Sequence, residues 1–271
     1  MTTSSFSGRS ETAQLTILGS GTSTGVPMVG CSCPVCLSND PKDNRTRCSA
    51  LITFRDLNIL IDTSSDLRSQ ALREKIARID AVLFTHAHAD HVNGIDDLRG
   101  FHFIHHEVIP CFVPKPAFDD LLSRFSYVFR EKPGSGYPPL LKPFLVDGVV
   151  EIEEVQIVPV PLRHGKGVST GYRIGDICYL TDCNGIPAAS EKLLKGVRVV
   201  IIDGLRWSPH PSHFSIETAI AAAAGLAPER IVLTHITHEV SHADAVKLPG
   251  GVELAYDGMK FGIDLQLREM R

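Results

Sequence analysis

The chain of 271 residues carries 27 lysines and arginines against 31 aspartates and glutamates, which gives a net charge of −4 at neutral pH. These charges are interspersed and form no basic run, so the composition argues against an extended nucleic-acid-binding surface. Hydrophobic residues make up 43% of the chain, enough for a sizeable core, yet no apolar run approaches the roughly 20 residues of a membrane span.

The N-terminal residues 1–13 are polar and rich in serine and threonine, without the apolar centre of a secretory signal. We expect a flexible tail there, followed by one domain over residues 14–271 of a cytoplasmic protein. Seven cysteines are an odd number, and only Cys31, Cys33 and Cys36 cluster. A reducing compartment fits this pattern better than a disulfide framework does. On the residues alone, the cluster is a disulfide seed, a redox device or a metal clamp.

Short apolar runs recur along the chain, and each ends in a polar residue that can bind a metal. Their length and their content of valine, isoleucine and leucine predict buried strands. Residues at the ends of neighbouring strands can converge on one point, so we expect a single site at one sheet edge. The predicted strands span residues 57–62, 80–86, 155–164, 177–182 and 230–235.

Helical patterns alternate with these strands. One covers residues 67–79, and another has Ser215 as its N-cap and Gly225 as its C-cap. Gly175-Asp176 predicts a two-residue hairpin turn. Together these elements predict a layered α/β sandwich with its helices outside. The stretch from about 101 to 147 is rich in proline and aromatic residues; it indicates a lid-like insertion over the site or, equally, surface packing between two halves of the domain.

A glycine-rich turn, GSGTSTG, follows the first apolar run. Such turns can cradle phosphate groups, but the spacing of Gly19, Gly21 and Gly25 departs from the dinucleotide-binding fingerprint. Pro27 and the cysteines also follow where a helix would have to begin. A tight strand-to-loop turn explains the stretch better than NAD binding does.

The motif His86-Ala-His88-Ala-Asp90-His91 places four nitrogen and oxygen donors within six residues after a predicted strand. This spacing is typical of metal ligands, since a single histidine would more often be structural. Four donors cannot saturate two ions and still leave positions for catalysis. The strand-end residues His164, Asp182 and His235 can supply the remaining ligands.

This set of motifs, with the strand-end Asp62 before it, resembles the metallo-β-lactamase superfamily in content and in order. The resemblance implies an αββα sandwich and two catalytic divalent ions, zinc or manganese. It assigns His86, His88 and His164 to one ion, and Asp90, His91 and His235 to the other. Asp182 would bridge the two ions, with Asp90 and Asp182 taking part in catalysis. Asp62 would orient the ligands from behind.

Two stretches, LGSGTSTGVPMVGCSCPVC and HADHVNGIDDLRGF, resemble the PhnP-like group of that superfamily. The resemblance implies hydrolysis of small phosphodiesters, cyclic or nucleotide-like ones included, by metal-bound hydroxide. It also implies a structural zinc in a loop over about residues 30–48, with the ligands Cys31, Cys33, Cys36 and His238. A homodimer is a fair expectation for such an enzyme.

His213 lies directly before the Ser215 helix and matches the active-site histidine of PhnP-like enzymes. It is therefore our candidate for donating a proton to the leaving group, against the alternative that it only packs in a capping loop. Arg99 could reach a substrate phosphate or pair with Asp96 or Asp97. His210 is a weaker candidate than His213. The isolated Cys183 adjoins Asp182 and either is a buried thiol or shapes the site.

Other functions use the same ligands. Thioester and lactone hydrolases and tRNA-processing ribonucleases share this constellation, although the sequence lacks a long basic arm for gripping RNA. A non-catalytic zinc or redox sensor is a competitor from another class, in which the cysteine cluster would carry the function. The intact set of ligands favours the enzyme.

Overall fold

The computed structural model describes residues 11–130 and 140–265. Most of the predicted tail, residues 131–139 of the predicted insertion, and residues 266–271 lie outside the described residues. The strands are β1 (Glu11–Gly19), β2 (Ser49–Phe54), β3 (Leu57–Ile61), β4 (Ala81–Leu83), β5 (Ile109–Pro114), β6 (Leu141–Val146), β7 (Val150–Ile152), β8 (Val155–His164), β9 (Gly167–Ile174), β10 (Ile177–Leu180), β11 (Val199–Asp203), β12 (Arg230–Thr234), β13 (Val252–Leu254) and β14 (Lys260–Leu265).

Helices connect these strands, and none of those in the described ranges has both the length and the apolar character of a membrane span. They are α1 (Leu67–Glu74), α2 (Ala89–Val92), α3 (Arg99–His105), α4 (Lys115–Arg124), α5 (Ser126–Phe129), α6 (Ala188–Leu193) and α7 (Ile216–Ala224). Short 3₁₀ helices cover Pro41–Asp43, Ile95–Leu98 and His242–Lys247.

The strands form two seven-stranded sheets across the described part of the chain. The first has the order β14-β1-β2-β3-β4-β5-β6 and the second the order β13-β12-β11-β10-β9-β8-β7. In each sheet one half is antiparallel and the other parallel: β3 to β6 run parallel in the first, and β10 to β13 in the second. The hairpin predicted at Gly175-Asp176 joins β9 to β10, as their antiparallel pairing shows.

The two sheets pack face to face, with helices on both outer surfaces. In β11, Val199 and Ile201 belong to the core between the sheets, whereas Val200 and Ile202 pack on the outer side. Side chains of a strand alternate between its faces, so a strand buried on both faces has to be apolar throughout. This explains the continuous apolar runs and confirms the αββα sandwich.

Parallel pairing brings the carboxyl ends of several strands to one edge. Asp62 follows β3, His86 lies three residues after β4, Asp182 lies two residues after β10, and His235 follows β12. Because the two sheets face each other, the ends of these strands meet at one end of the sandwich. The pairing of the strands thus brings the predicted ligands close together.

Two sequence-based boundaries differ from the structure, and so does the predicted character of the insertion. β1 starts at Glu11, so the last residues of the predicted tail belong to a strand. α1 ends at Glu74 rather than near residue 79, because Lys75 adopts a left-handed conformation (φ 56°) and its N–H bonds the carbonyls of Ala71 and Leu72. Within the predicted insertion, β5 and β6 extend the first sheet, and helices α4 and α5 lie between them.

The glycine-rich turn after β1 packs tightly against the chain rather than lying open to a ligand. A Cβ on Gly19 would lie 1.9 Å from the carbonyl oxygen of Arg47. The Gly21 N–H donates to the Thr46 carbonyl, and the Ile236 N–H donates to the Ser20 carbonyl at 2.9 Å. The turn therefore holds the N-terminal part of the chain against the segment that follows β12.

Candidate active site

The histidine motif spans the loop after β4 and the first residues of α2, where the structure brings its side chains together with residues from the second sheet. The donor atoms of His86, His88, His164 and Asp182 all lie within 4.8 Å of one another. The donor atoms of a second group, Asp90, His91, Asp182 and His235, meet the same limit. Four side chains of the motif and three from distant parts of the chain thus form two adjoining groups of donors.

Asp182 belongs to both groups. Its Oδ1 lies 3.3 Å from His91 Nε2, and its Oδ2 lies 3.3 Å from His235 Nε2 and 3.7 Å from His86 Nε2. Asp90 Oδ2 lies 3.4 Å from His91 Nε2, on the other side of the second group. A carboxylate in this position is able to link two cations, one in each group.

The residues fit the divalent ions that the fold family implies. Buried polar atoms normally have hydrogen-bond partners, yet several inward-pointing atoms have none among the described residues. These atoms are the Nε2 atoms of His86, His91 and His235 and the Oδ2 atom of Asp90. Unpartnered nitrogen and oxygen atoms that converge on one point are what a cation site requires.

The pKa values of the site histidines also indicate a place for cations. Burial opposes a charge on His91, but the carboxylates of Asp182, Asp90 and Asp62 hold its pKa well above the ordinary value. Burial likewise opposes a charge on His235, while Asp182 and its neighbours raise its pKa to about 9. Burial and the charge on His91 lower the pKa of His86 instead. A buried carboxylate is stable only when a positive charge lies beside it, so these carboxylates favour either protonated histidines or bound cations.

A chain of hydrogen bonds behind the motif fixes how the histidines face the site. Asp62 Oδ2 accepts from His91 Nδ1 at 2.7 Å and from the Thr85 hydroxyl, also at 2.7 Å. The Thr85 hydroxyl accepts in turn from His86 Nδ1 at 2.9 Å. Since Nδ1 of each ring is engaged in this chain, the Nε2 atoms of His86 and His91 face the site.

Two of the site residues at strand ends have strained backbone conformations. Asp62 and His235 both adopt left-handed backbone angles, with φ of 61° and 59°. Non-glycine residues take this conformation at a cost, and it often occurs at functional sites. In both residues the backbone turns at the end of a buried strand. The turn directs Asp62 to His91 and Thr85, and it directs His235 into the second donor group.

His213 also reaches the site, and its partner is Asp203, a residue that was not predicted from the sequence. His213 Nδ1 donates to Asp203 Oδ2 at 2.6 Å, and the His213 ring stacks on that of His235 with centroids 4.7 Å apart. Asp203 ends β11 just as the other site residues end their strands. That position was the signal that could have identified it.

The cysteine cluster lies against His238, which follows the site residue His235 by three positions. The sulfurs of Cys31 and Cys33 lie 3.3 and 3.4 Å from His238 Nδ1, and the four donor atoms, that of Cys36 included, lie within 4.8 Å of one another. A tetrahedral zinc with Zn–S of about 2.3 Å and Zn–N of about 2.0 Å places sulfur and nitrogen about 3.5 Å apart. The observed spacing therefore fits such an ion.

Other residues singled out in the sequence have structural contacts. Arg99 donates to Asp96 Oδ1 at 3.1 Å at the surface, and it is not among the residues that line the cavity described below. Cys183 is fully buried, and its backbone N–H donates to Asp203. His210 lies with its ring centroid 5.0 Å from that of His213, at the rim of the site.

Comparison with known proteins agrees with this geometry. Residues 57–236 match the family described as a beta-lactamase superfamily domain. The crystal structure of a diphosphatase from the PhnP family has 38% sequence identity and a TM-score of 0.87, with 94% of this chain and 98% of that chain covered. The zinc-bound PqqB of Methylobacterium extorquens, at 19% identity and a TM-score of 0.72 over 92% of this chain and 99% of that chain, shares the fold.

An octanoyltransferase of Porphyromonas gingivalis is 41% identical over 256 residues, which are 92% of this chain and 51% of that protein. The chain thus spans about half the length of this curated relative. The family match covers more than half of the chain, and the two donor groups lie at the end of the sandwich where the carboxyl ends of the parallel strands meet. The chain therefore belongs to the metallo-β-lactamase superfamily, and within it resembles a diphosphatase of the PhnP family.

Proposed function

We propose that this protein hydrolyses small phosphodiesters, including cyclic and nucleotide-like ones, at a centre that holds two divalent ions. His86, His88 and His164 would hold one ion, Asp90, His91 and His235 the other, and Asp182 would bind both. Divalent ions in this centre would neutralise the phosphoryl oxygens and make a water molecule nucleophilic at neutral pH. The similar solved structure is described as a diphosphatase of the PhnP family. This similarity supports attack on phosphorus.

The observation that carries this proposal is the His213–Asp203 pair beside the two donor groups. The donor atoms of Asp182, Asp203, His213 and His235 lie within 4.8 Å of one another. With its Nδ1 proton bound to Asp203, His213 presents Nε2 to the site, and in its imidazolium form the ring can donate the Nε2 proton to an oxygen. A departing alkoxide is a poor leaving group and needs that proton, whereas the thiolate of a thioester leaves without it. The pair therefore favours phosphodiesters over thioesters.

We assign a separate structural role to the cysteine cluster. Cys31, Cys33, Cys36 and His238 would hold one zinc ion. His238 follows the ligand His235 by three residues, so such an ion would tie the loop after β1 to the wall of the active site. The energy of binding a structural metal is also energy of folding.

A panel of substrates tests the proposed reaction. Protein loaded with zinc or manganese would be assayed on 2′,3′-cyclic nucleotides, bis(p-nitrophenyl) phosphate, an octanoyl thioester and a lactone. We expect turnover of the phosphodiesters, and its loss after chelation and in Asp182→Ala. Asp176→Ala, a substitution in the β9–β10 turn, should keep that activity and serves as the matched control. Turnover of only the thioester or the lactone would overturn the proposal.

A further inference from the structure

A cavity of about 390 Å³ opens beside the donor group of His86, His88 and His164. One wall is the turn between β8 and β9, and the other is the first part of α4 with the end of β5. This volume lies within the range of small-molecule binding pockets. It leaves room for a part of the substrate beyond a single phosphate at the donor groups.

Lys166 lies at the tip of the β8–β9 turn and lines this cavity. Among the described residues its ammonium group has no ion pair. The turn itself is held in place: Gly165 has φ of +60°, and a Cβ on it would come within 3.0 Å of Ser212. The Ser212 carbonyl accepts from His164 Nδ1 at 2.8 Å. The turn that carries Lys166 is thereby joined to a residue of the proposed centre.

The carboxylate on the opposite wall already has a cationic partner. Asp120 lines the cavity from α4, but its carboxylate binds Arg124 Nη1 at 3.2 Å. The other lining residues away from the histidines are apolar or neutral, with Pro114, Pro116 and Val168 among them. Lys166 is therefore the cation in the described cavity wall that is available to an anionic ligand.

We propose that Lys166 is a specificity-determining residue, which binds a second phosphate when the substrate is a diester of diphosphate. This inference rests on the proposed function, because it places the phosphorus that water attacks at the donor groups around Asp182. Water forms the new P–O bond, the P–O–P bridge breaks, and the neighbouring phosphate, which lies in the cavity, leaves with the bridging oxygen as a second phosphate monoester. The lysine ammonium, a compact charge with three donors, is well suited to a phosphate oxygen there.

Binding and turnover test this assignment separately. With metal-loaded protein, calorimetry would compare methylenediphosphonate, which resembles a diphosphate, with methylphosphonate. Because hydrogen bonds to charged groups are the stronger ones, we expect Lys166→Gln to weaken binding of methylenediphosphonate about tenfold and that of methylphosphonate less than about twofold. Lys166→Arg should restore most of the loss, and Lys192→Gln on α6 should change neither.

Kinetics give the second readout. Lys166→Gln should raise KM about tenfold for a dinucleoside diphosphate and leave KM for bis(p-nitrophenyl) phosphate within about twofold. Equal weakening of both phosphonates, or no weakening of either, would overturn the role of Lys166 even if phosphodiesters are hydrolysed. Absence of all phosphodiester turnover would instead refute the proposed function, and the phosphonate comparison would still decide whether Lys166 binds a second phosphate.

Discussion

His213 donates from Nδ1 to Asp203 Oδ2 at 2.6 Å, and the carboxylate that accepts is completely buried. Asp203 also accepts the backbone N–H of Cys183, the residue directly after Asp182, at 2.9 Å. Burial raises the pKa of Asp203, and its hydrogen bond with His213 opposes that rise. One buried carboxylate thus couples the position of the imidazole to the backbone beside the proposed bridging ligand.

The first prediction concerns the leaving group. His213→Ala should slow the release of an alkoxide, as from a 2′,3′-cyclic nucleotide, by about 10²-fold to 10⁴-fold, the usual contribution of a general acid. Release of p-nitrophenolate should slow far less, because this anion leaves without a proton. Steady-state kinetics on the two substrates give both numbers.

Asp203→Asn is the companion variant for that experiment. It keeps the shape of the side chain but weakens the orientation of His213, so its effect should fall between wild type and His213→Ala and show the same dependence on the leaving group. An equal loss on both substrates would mean that His213 does not protonate the leaving group.

The second prediction concerns Asp62, which accepts from His91 at 2.7 Å and from Thr85 through both of its carboxylate oxygens. Asp62→Asn removes the charge that orients His91. Loss of such a partner behind a metal ligand typically costs about 10-fold to 100-fold in metal affinity. Competition with a chromophoric chelator measures this change. Asp56→Asn, in the exposed β2–β3 turn, is the matched control and should leave affinity unchanged.

The third prediction concerns metal content. Cys33→Ser should lower the zinc content of the purified protein by about one ion per chain, because a Cys₃His site loses a thiolate ligand. Its melting temperature should also fall, since the binding energy of a structural ion is folding energy. Cys111→Ser alters a buried cysteine of the outer core and should lower stability without loss of metal. An unchanged metal content in Cys33→Ser would exclude the cluster as a zinc site.

The fourth prediction follows from thiol chemistry in protein freed of metal. The backbone N–H of Cys36 and the imidazole of His238 lower the pKa of Cys33 to about 6, whereas burial raises that of Cys36 to about 11. Only thiolates react with iodoacetamide. Alkylation of Cys33 should therefore rise as pH passes through about 6 and level off above it, ahead of Cys36. Peptide mass spectrometry of briefly treated samples follows each residue, and simultaneous reaction of both would contradict the assignment.

Much of the site was predictable because its residues occupy a repeated position. Asp62, Asp182 and His235 follow apolar runs, and parallel pairing brings the ends of such runs together. The same rule would have found Asp203. Ser215 and Gly225 marked the ends of α7 correctly, since cap residues act locally.

What the sequence did not show depends on contacts between distant segments. The apolar runs of β5 and β6 are interrupted by prolines, which hid their place in the first sheet. Lys166 lies between two glycines in a short turn, and no sequence motif surrounds it. It lines a cavity because that turn lies opposite α4 in the folded chain. The partner of His213 likewise comes from a separate strand.

The most direct test of the account is the position of the oxygen that enters during hydrolysis. Metal-loaded protein would hydrolyse a 2′,3′-cyclic nucleotide in H₂¹⁸O, with mass spectrometry of the product. We expect one ¹⁸O atom in the phosphate group, and no product after chelation or in Asp182→Ala. Label in the ribose hydroxyl, or product that forms equally well without metal, would contradict attack on phosphorus at this centre.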